Sequence, residues 1–235
     1  MQPTQSTIDL SIVIPALNEA ENLATLLPEI NKIVEGLGIQ AEIIVVDECA
    51  DDLTCQVVEK YNAELLCPNT KGYGMALFNG LKHARGLFMI SMDADFSHPP
   101  IFIRDLWAER NSADIIIASR YVRGGKAVMP FSRYFLSRIL NLFFGFGLSI
   151  PVRDLSSGYR LYRASAFLSQ QVDCMDFDIL QELLVRAVID GKVIHEIPFT
   201  YHPRKHGSSH ARVIKFGMAY LRTFGRLWQL RHSAT

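Results

Sequence analysis

Hydrophobic positions along this chain alternate between short β-branched runs and longer stretches in which they recur every three or four residues. Leu10 to Pro15 is an apolar run of the kind a buried strand needs. Asn18 and Glu21 then form a helix start signal, an N-cap with an acidic residue one turn on. Leu23, Leu26, Leu27, Ile30, Ile33, Val34 and Leu37 follow at helical spacing, up to a stop at Gly36 to Gly38. The same alternation predicts a strand at Ile43 to Val46, a helix through Val57, Val58 and Tyr61, and a short strand around Leu65. Gly72 and Gly74 open another helix, Phe88 to Met92 reads as a strand, Pro99 and Pro100 start a short helix, and Ile115 to Ala118 is again a strand. Strands apolar on both faces, alternating with helices, predict an α/β fold with a mostly parallel central sheet and helices on both faces. Ligands of such sheets sit outside the carboxyl ends of the strands. Pro15-Ala16-Leu17-Asn18-Glu19, Asp47-Glu48 and Asp93-Ala94-Asp95 all fall at strand ends, so the pattern gathers them on one rim.

Composition narrows the class. A length of 235 residues, 49% hydrophobic and 20% charged, suits one compact domain with a sizeable core. The formal net charge of +0 removes any global electrostatic case for nucleic acid. Cys49, Cys55, Cys67 and Cys174 show neither Cys-x-x-Cys spacing nor histidine partners, which argues against a zinc site or a disulfide framework and favours a reducing cytosol. The first residues lack the basic and apolar regions of a signal peptide. The longest uncharged apolar stretch, Ile139 to Val152, is short of the ~18 residues a spanning helix needs.

The stretch Met92-Asp93-Ala94-Asp95-Phe96-Ser97-His98-Pro99-Pro100 carries the most specific chemistry. Two carboxylates one residue apart, on the same side of an extended chain, repel unless a cation lies between them. Hard oxygen ligands suit Mg²⁺ or Mn²⁺, which bind one or two carboxylates together with substrate phosphates. A turn or helix cap is the competing reading of the same residues. Two other nucleotide-binding patterns are absent: Gly72-Tyr73-Gly74 lacks the third glycine of a dinucleotide fingerprint, and no Gly-Lys-Ser/Thr loop occurs.

The segments Ser11-Ile12-Val13-Ile14-Pro15-Ala16-Leu17-Asn18-Glu19, Val45-Val46-Asp47, Lys71-Gly72-Tyr73-Gly74, Met92 to Pro100, Ala118-Ser119-Arg120-Tyr121-Val122 with Gly124-Gly125, and Asp154-Leu155-Ser156-Ser157-Gly158-Tyr159-Arg160 occur in an informative order. Together they resemble the family 2 glycosyltransferases, and among them the dolichyl- or polyprenyl-phosphate mannosyltransferases. The resemblance implies a GT-A type nucleotide-sugar-binding fold, and it implies roles. Asp47 would meet the donor base, with Pro15, Leu17 and Glu19 lining the same pocket. Asp93 would face the ribose and sugar as a catalytic carboxylate. Asp95 would hold the metal on the diphosphate, and the metal set would be Asp93, Asp95 and Ser97, the last standing where relatives place Gln. Arg120, Arg133, Ser137 and Arg204 match positions that bind phosphate. Where relatives read Asp-Asp-Gly-Ser-x-Asp-Gly-Thr, this chain has Asp47-Glu48-Cys49-Ala50-Asp51-Asp52-Leu53-Thr54, an altered turn.

The implied reaction is inverting transfer of a hexose, first of all mannose from GDP-mannose, to a polyprenyl or dolichyl phosphate at the cytosolic face of a membrane. It brings two anions together. Guanidinium groups hold a phosphate bidentately and keep their charge, and a phosphate monoester is itself an anion at pH 7, so no strong general base is required. Arg138 reads as an ordinary surface arginine, and His98 as a turn residue behind the carboxylates. Beyond Arg204 the chain is basic without any Asp or Glu. From about Ala211 to Arg231 it reads as an amphipathic helix with Arg212, Lys215, Arg222 and Arg226 on one stripe, suited either to an anionic membrane surface or to packing on the domain. The expected organisation is a tail at 1–9, a GT-A domain at 10–209 and a basic amphipathic helix at 210–235, with a membrane-anchoring partner protein as a further expectation. Two alternatives stay open. One is the same fold using UDP-glucose or another UDP-sugar; the other is a non-catalytic nucleotide-sugar-binding subunit.

Overall fold

The computed structural model describes residues 8–48, 50–167, 172, 178–202 and 213–233, with the backbone alone for 213–221. In chain order the elements are β1 (Leu10–Ala16), α1 (Ala20–Leu37), β2 (Ala41–Asp47), α2 (Asp52–Lys60), β3 (Glu64–Leu66), α3 (Tyr73–His83) and β4 (Phe88–Ser91). A 3₁₀ turn at Pro100–Phe102 leads into α4 (Ile103–Glu109), then β5 (Ile115–Ser119), β6 (Lys126–Ala127) and α5 (Phe131–Gly147). The chain continues through β7 (Arg160–Arg163), α6 (Ala164–Phe167), α7 (Ile179–Ile189), β8 (Ile194–Pro198), β9 (Thr200–Tyr201) and α8 (Val213–Ser233).

The central sheet has seven strands in the order β3-β2-β1-β4-β7-β5-β8. Every neighbouring pair in it is parallel except those made by β7, which runs antiparallel between β4 and β5. The side-chain period of two sends alternate residues to two cores. Leu10, Ile12 and Ile14 of β1 join Ile43, Val45 and Ile90 beneath Leu23, Leu26, Leu27 and Ile30 of α1. Val13, Ile44, Val46 and Met89 face the other way, onto Leu77 and Leu81 of α3 and Leu183 and Leu184 of α7. Each fully buried aliphatic side chain contributes on the order of 1.5–3 kcal/mol, so these two layers hold the sheet flat against its helices. The predicted α/β architecture, mostly parallel and covered on both faces, is the one observed.

One local expectation needs correction. Asn18 does not cap α1: it lies in the left-handed region with φ 57°, and Glu19 occupies the N-cap. The Glu19 side chain accepts from the Asn22 amide nitrogen instead of from the helix backbone. The α1 stop is as predicted, with Gly38 at φ 65° supplying the left-handed C-cap. Asp93 and Asp95 lie where the pattern puts them, in the loop beyond the carboxyl end of β4, which closes at Ser91.

The basic tail divides. In the described half of α8, Leu227 is fully buried and Phe224 packs on Phe143 and Phe144 of α5, with ring centroids 4.5 and 5.5 Å away. Arg226, expected on the outward basic stripe, turns inward to Glu182 and Asp178 of the α7 region, at 3.1 and 3.4 Å. The Glu182 carboxylate of α7 draws it there, since it is fully inaccessible. Arg222 stays exposed. Arg212 lies outside the described residues.

Candidate active site

The parallel register aligns the strand ends that carry the candidate residues. Ala16 of β1 pairs with Asp47 of β2, and Val13 pairs with Ser91 of β4. Pro15, Leu17, Glu19, Asp47 and Asp93 therefore lie on one rim, as the alternation predicted. Asp47 is buried, Pro15 and Glu19 are partly buried, and Leu17 is exposed. The altered turn after β2 ends on Asp51, which caps α2 by accepting from Thr54 N–H at 2.8 Å. Glu48 reaches across to accept from the Gly72 N–H at 3.2 Å, tying this turn to the start of α3.

The acidic loop is held by short-range contacts. Asp95 is almost fully buried, and its Oδ1 accepts from the Ser97 N–H at 3.0 Å. That bond closes a turn through Phe96, which takes φ 60°, an unusual conformation for a bulky residue. Asp93 remains about one-third exposed. Its Oδ1 accepts from the Tyr73 hydroxyl at 3.3 Å, and its N–H donates to Nδ1 of His98 at 2.9 Å. The accepting role of Nδ1 puts the ring hydrogen of the neutral imidazole on Nε2, which faces Asp93 Oδ2 at 3.8 Å. Burial lowers the His98 pKa, keeping it neutral; it is stacked on Tyr159 at 4.8 Å. Burial, with the Asp93 charge adding to it, pushes the Tyr73 phenol well above its ordinary value, so it stays a donor. Gly158 is required where this cage closes, because a Cβ there would meet the Tyr73 hydroxyl at 2.8 Å.

The donor set fits a divalent cation of the Mg²⁺ or Mn²⁺ type. Two carboxylates share one short loop, and the hydroxyl of Ser97 is buried without a hydrogen-bond partner. No group of three His, Cys, Asp or Glu side chains with metal-ligand geometry occurs among the described residues. Such an ion would then complete its shell with substrate oxygens and water, the usual habit of Mg²⁺.

The second cluster lies between β5 and α5. Arg120 forms a bidentate pair with Asp154, Nε to Oδ2 at 2.8 Å and Nη2 to Oδ1 at 2.6 Å, and donates again to Ser156 Oγ at 2.7 Å. Burial alone would lower the guanidinium pKa, but the Asp154 carboxylate overrides it and raises the value. Asp154 is held in turn by Glu196 of β8, whose carboxylate accepts from the N–H groups of Arg153 and Asp154 at 2.8 and 2.9 Å. Ser137 accepts from the Tyr121 hydroxyl at 2.7 Å, and Asn141 links Ser137 to Ser156. The resemblance implies Arg120 as a phosphate ligand; in the fold its Nε and Nη2 donate to Asp154 and Ser156. Arg133 is exposed on the first turn of α5, and Arg204 lies outside the described residues.

The outer face of α5 is apolar and open to solvent. Phe131, Phe135, Leu136, Ile139, Leu142 and Phe146 are all exposed, Phe146 to 91%. No helix among the described residues is long and apolar enough to cross a membrane.

Residues 11–169 match the model of "Glycosyl transferase family 2". The chain belongs to glycosyl transferase family 2. It is 34% identical over 229 residues to a dolichol-phosphate mannosyltransferase of Pyrococcus furiosus, covering 93% of this chain and 63% of that relative's length. It is 31% identical over 210 residues to an undecaprenyl-phosphate mannosyltransferase of Micrococcus luteus, covering 84% and 85%. Among solved structures, glucosyl-3-phosphoglycerate synthase of Mycobacterium tuberculosis, in complex with Mn²⁺, UDP-glucose and phosphoglyceric acid, superposes with a TM-score of 0.73 at 18% identity. That match covers 95% of this chain and 79% of the synthase, and it carries the GT-A type fold. The family membership and fold expected from the ordered motifs are thus both observed.

Tyr73 as a donor to Asp93 and Asp154 as the counter-charge of Arg120 had no place among the expected site residues. Asp154 stands in the ordered segment Asp154-Leu155-Ser156-Ser157-Gly158-Tyr159-Arg160, but nothing beside it along the chain points to Arg120 as its partner.

Proposed function

We infer that this glycosyltransferase moves a hexose, mannose from GDP-mannose in the first instance, to the phosphate of a polyprenol or dolichol at the cytosolic face of a membrane. The observation carrying this reading is the pairing of two unlike surfaces: an acidic rim beyond β4, and a polar cluster on α5 backed by an exposed apolar helix face. The names of the Pyrococcus and Micrococcus relatives point to the same substrate class.

Asp47, Pro15, Leu17 and Glu19 would receive the nucleoside on the rim. Asp93, Asp95 and Ser97 would hold Mg²⁺ or Mn²⁺, which when bound offsets charge on the leaving diphosphate. Tyr73 and His98 hold Asp93 in one orientation from two sides, so the sugar meets a carboxylate that need not reorganise. The acceptor phosphate needs no proton removed to attack. Arg120, Arg133, Ser137 and Arg204 would bring it in line by charge and hydrogen bonding. The apolar face of α5, helped by exposed basic residues of the tail or by an anchoring partner, would keep the enzyme peripheral to the bilayer.

A panel of GDP- and UDP-sugars offered with a prenyl phosphate tests the reading. Mannosyl prenyl phosphate should form from GDP-mannose faster than any product from UDP-glucose. Faster glucose transfer would move the donor to the UDP class, and nucleotide binding without turnover across the panel would support a binding subunit.

A further inference from the structure

Arg138 follows Ser137 on α5 and shares a helical stripe with Tyr134 and Asn141. Its guanidinium carbon lies 5.0 Å from the centre of the Tyr121 ring, and that of Arg120 lies 5.1 Å from the same ring. The two cations are not equivalent. Arg120 is matched by Asp154, whose two oxygens already receive Arg120 Nε, Nη2 and backbone N–H. Arg138 Nη1 is shut off from solvent, with no hydrogen-bond acceptor among the described residues. Cation–π contact with Tyr121 accounts for the position of the group but accepts none of its N–H bonds. A buried charged donor left unmatched is expensive, and such groups mark places completed by something outside the protein.

The missing acceptor is an anion, because Asp154 pairs with Arg120 and no described carboxylate forms an ion pair with Arg138. A phosphate suits it best, since its oxygens match the planar fork and the Arg138 charge persists at any working pH. The source of the phosphate follows from the rest of the helix. Phe135, Leu136, Ile139 and Leu142 surround the position in sequence and are all exposed. A hydrocarbon chain carrying a terminal phosphate satisfies both features; a nucleoside diphosphate satisfies only the first.

We propose that Arg138 binds the phosphate of a prenyl monophosphate, beside the Ser137–Tyr121 hydroxyl pair. The assignment rests on the lipid-phosphate reading above and adds a residue to it. It is tested with the full chain by calorimetric titration of geranyl monophosphate, GDP and inorganic phosphate into wild type, Arg138→Gln and Arg138→Lys, with acceptor and donor KM measured alongside. Arg138→Gln should weaken geranyl monophosphate about tenfold or more and raise the acceptor KM to match, the effect of one charge-assisted bond. Arg138→Lys should fall between, and GDP affinity and donor KM should stay within about twofold of wild type. Circular dichroism and a thermal melt check the fold. If Arg138→Gln fails to fold, Arg138→Lys decides, because it keeps a cation over the ring while losing the planar fork. Unchanged affinity for geranyl monophosphate, or equal loss for GDP and geranyl monophosphate, overturns the assignment. With transfer to prenyl phosphate intact, unchanged affinity removes Arg138 alone. A wild type that binds inorganic phosphate but no prenyl phosphate removes the lipid-phosphate reading, and the prenyl assignment with it.

Discussion

The rim beyond β1, β2 and β4 and the surface built on α5 solve opposite problems. On the rim the protein orients its own carboxylates: Asp93 is held from two sides, the Phe96 turn is closed by Asp95, and Glu48 ties the altered turn to Gly72, while the buried Ser97 hydroxyl stays unpartnered. On α5 the inner network is closed around Arg120 and Asp154, yet Arg138 and a row of apolar side chains are left for something else to complete. Under the function proposed above, the difference separates a donor side from an acceptor side. A charged, water-soluble donor needs preorganised polar groups; an amphiphilic acceptor needs an incomplete surface with a cation at one edge.

The comparison breaks most visibly at Asp95. Asp95→Asn keeps an oxygen for the Ser97 N–H but removes the charge, and transfer should fall by about 10³ or more with the fold intact. Steady-state kinetics beside circular dichroism would check this, and near-normal turnover would detach the acidic loop from the chemistry. Next is the closed part of the α5 side. Asp154→Ala leaves the guanidinium of Arg120, only 11% exposed, without its counter-charge. It should lower stability by about 3–5 kcal/mol in urea unfolding. A loss under 1 kcal/mol would mean that water reaches Arg120 freely.

Smaller effects sharpen the picture. At Gly147 an added Cβ would lie 2.5 Å from the Phe224 ring, so Gly147→Ala should separate α8 from α5 and reduce stability by about 1–3 kcal/mol. Tyr73→Phe removes one 3.3 Å bond to Asp93 and should lower kcat by roughly fivefold without changing the melting temperature. In the tail, Arg226→Gln should reduce stability by roughly 1 kcal/mol, while Arg222→Gln should leave it within about 0.5 kcal/mol. If the two behave alike in urea, the inward pairing of Arg226 has no energetic weight.

Much of the rim was legible because it is local. Strands such as Ile43 to Val46 announce themselves by apolar runs, and a parallel sheet then forces their carboxyl ends, with Asp47 and Asp93, onto one rim. The insertion of β7 between β4 and β5 was not legible. Arg160-Leu161-Tyr162-Arg163 has charged ends, and strand partnership depends on pairing far along the chain rather than on periodicity. The arginines show the same limit. The resemblance implies Arg120 as a phosphate ligand and Arg138 reads as a surface residue, but the counter-charge of Arg120 comes from Asp154 and the ring beside Arg138 from Tyr121, each remote along the chain from the arginine it meets. Arg226 read as an outward basic residue because nothing in its own helix reveals Glu182 and Asp178 waiting on the neighbouring one.

In the proposed function one chain joins a metal-assisted nucleotide-sugar rim to a lipid-phosphate surface. Its most direct test is mass spectrometric detection of product after incubating the full chain with GDP-mannose, prenyl phosphate and Mg²⁺ or Mn²⁺, with and without chelator. A mannosyl prenyl phosphate that appears with the ion, disappears with chelator and returns on re-addition is the expected result. Tight binding of GDP-mannose with no glycosylated lipid under any ion, or full product formation in chelator, would contradict the account.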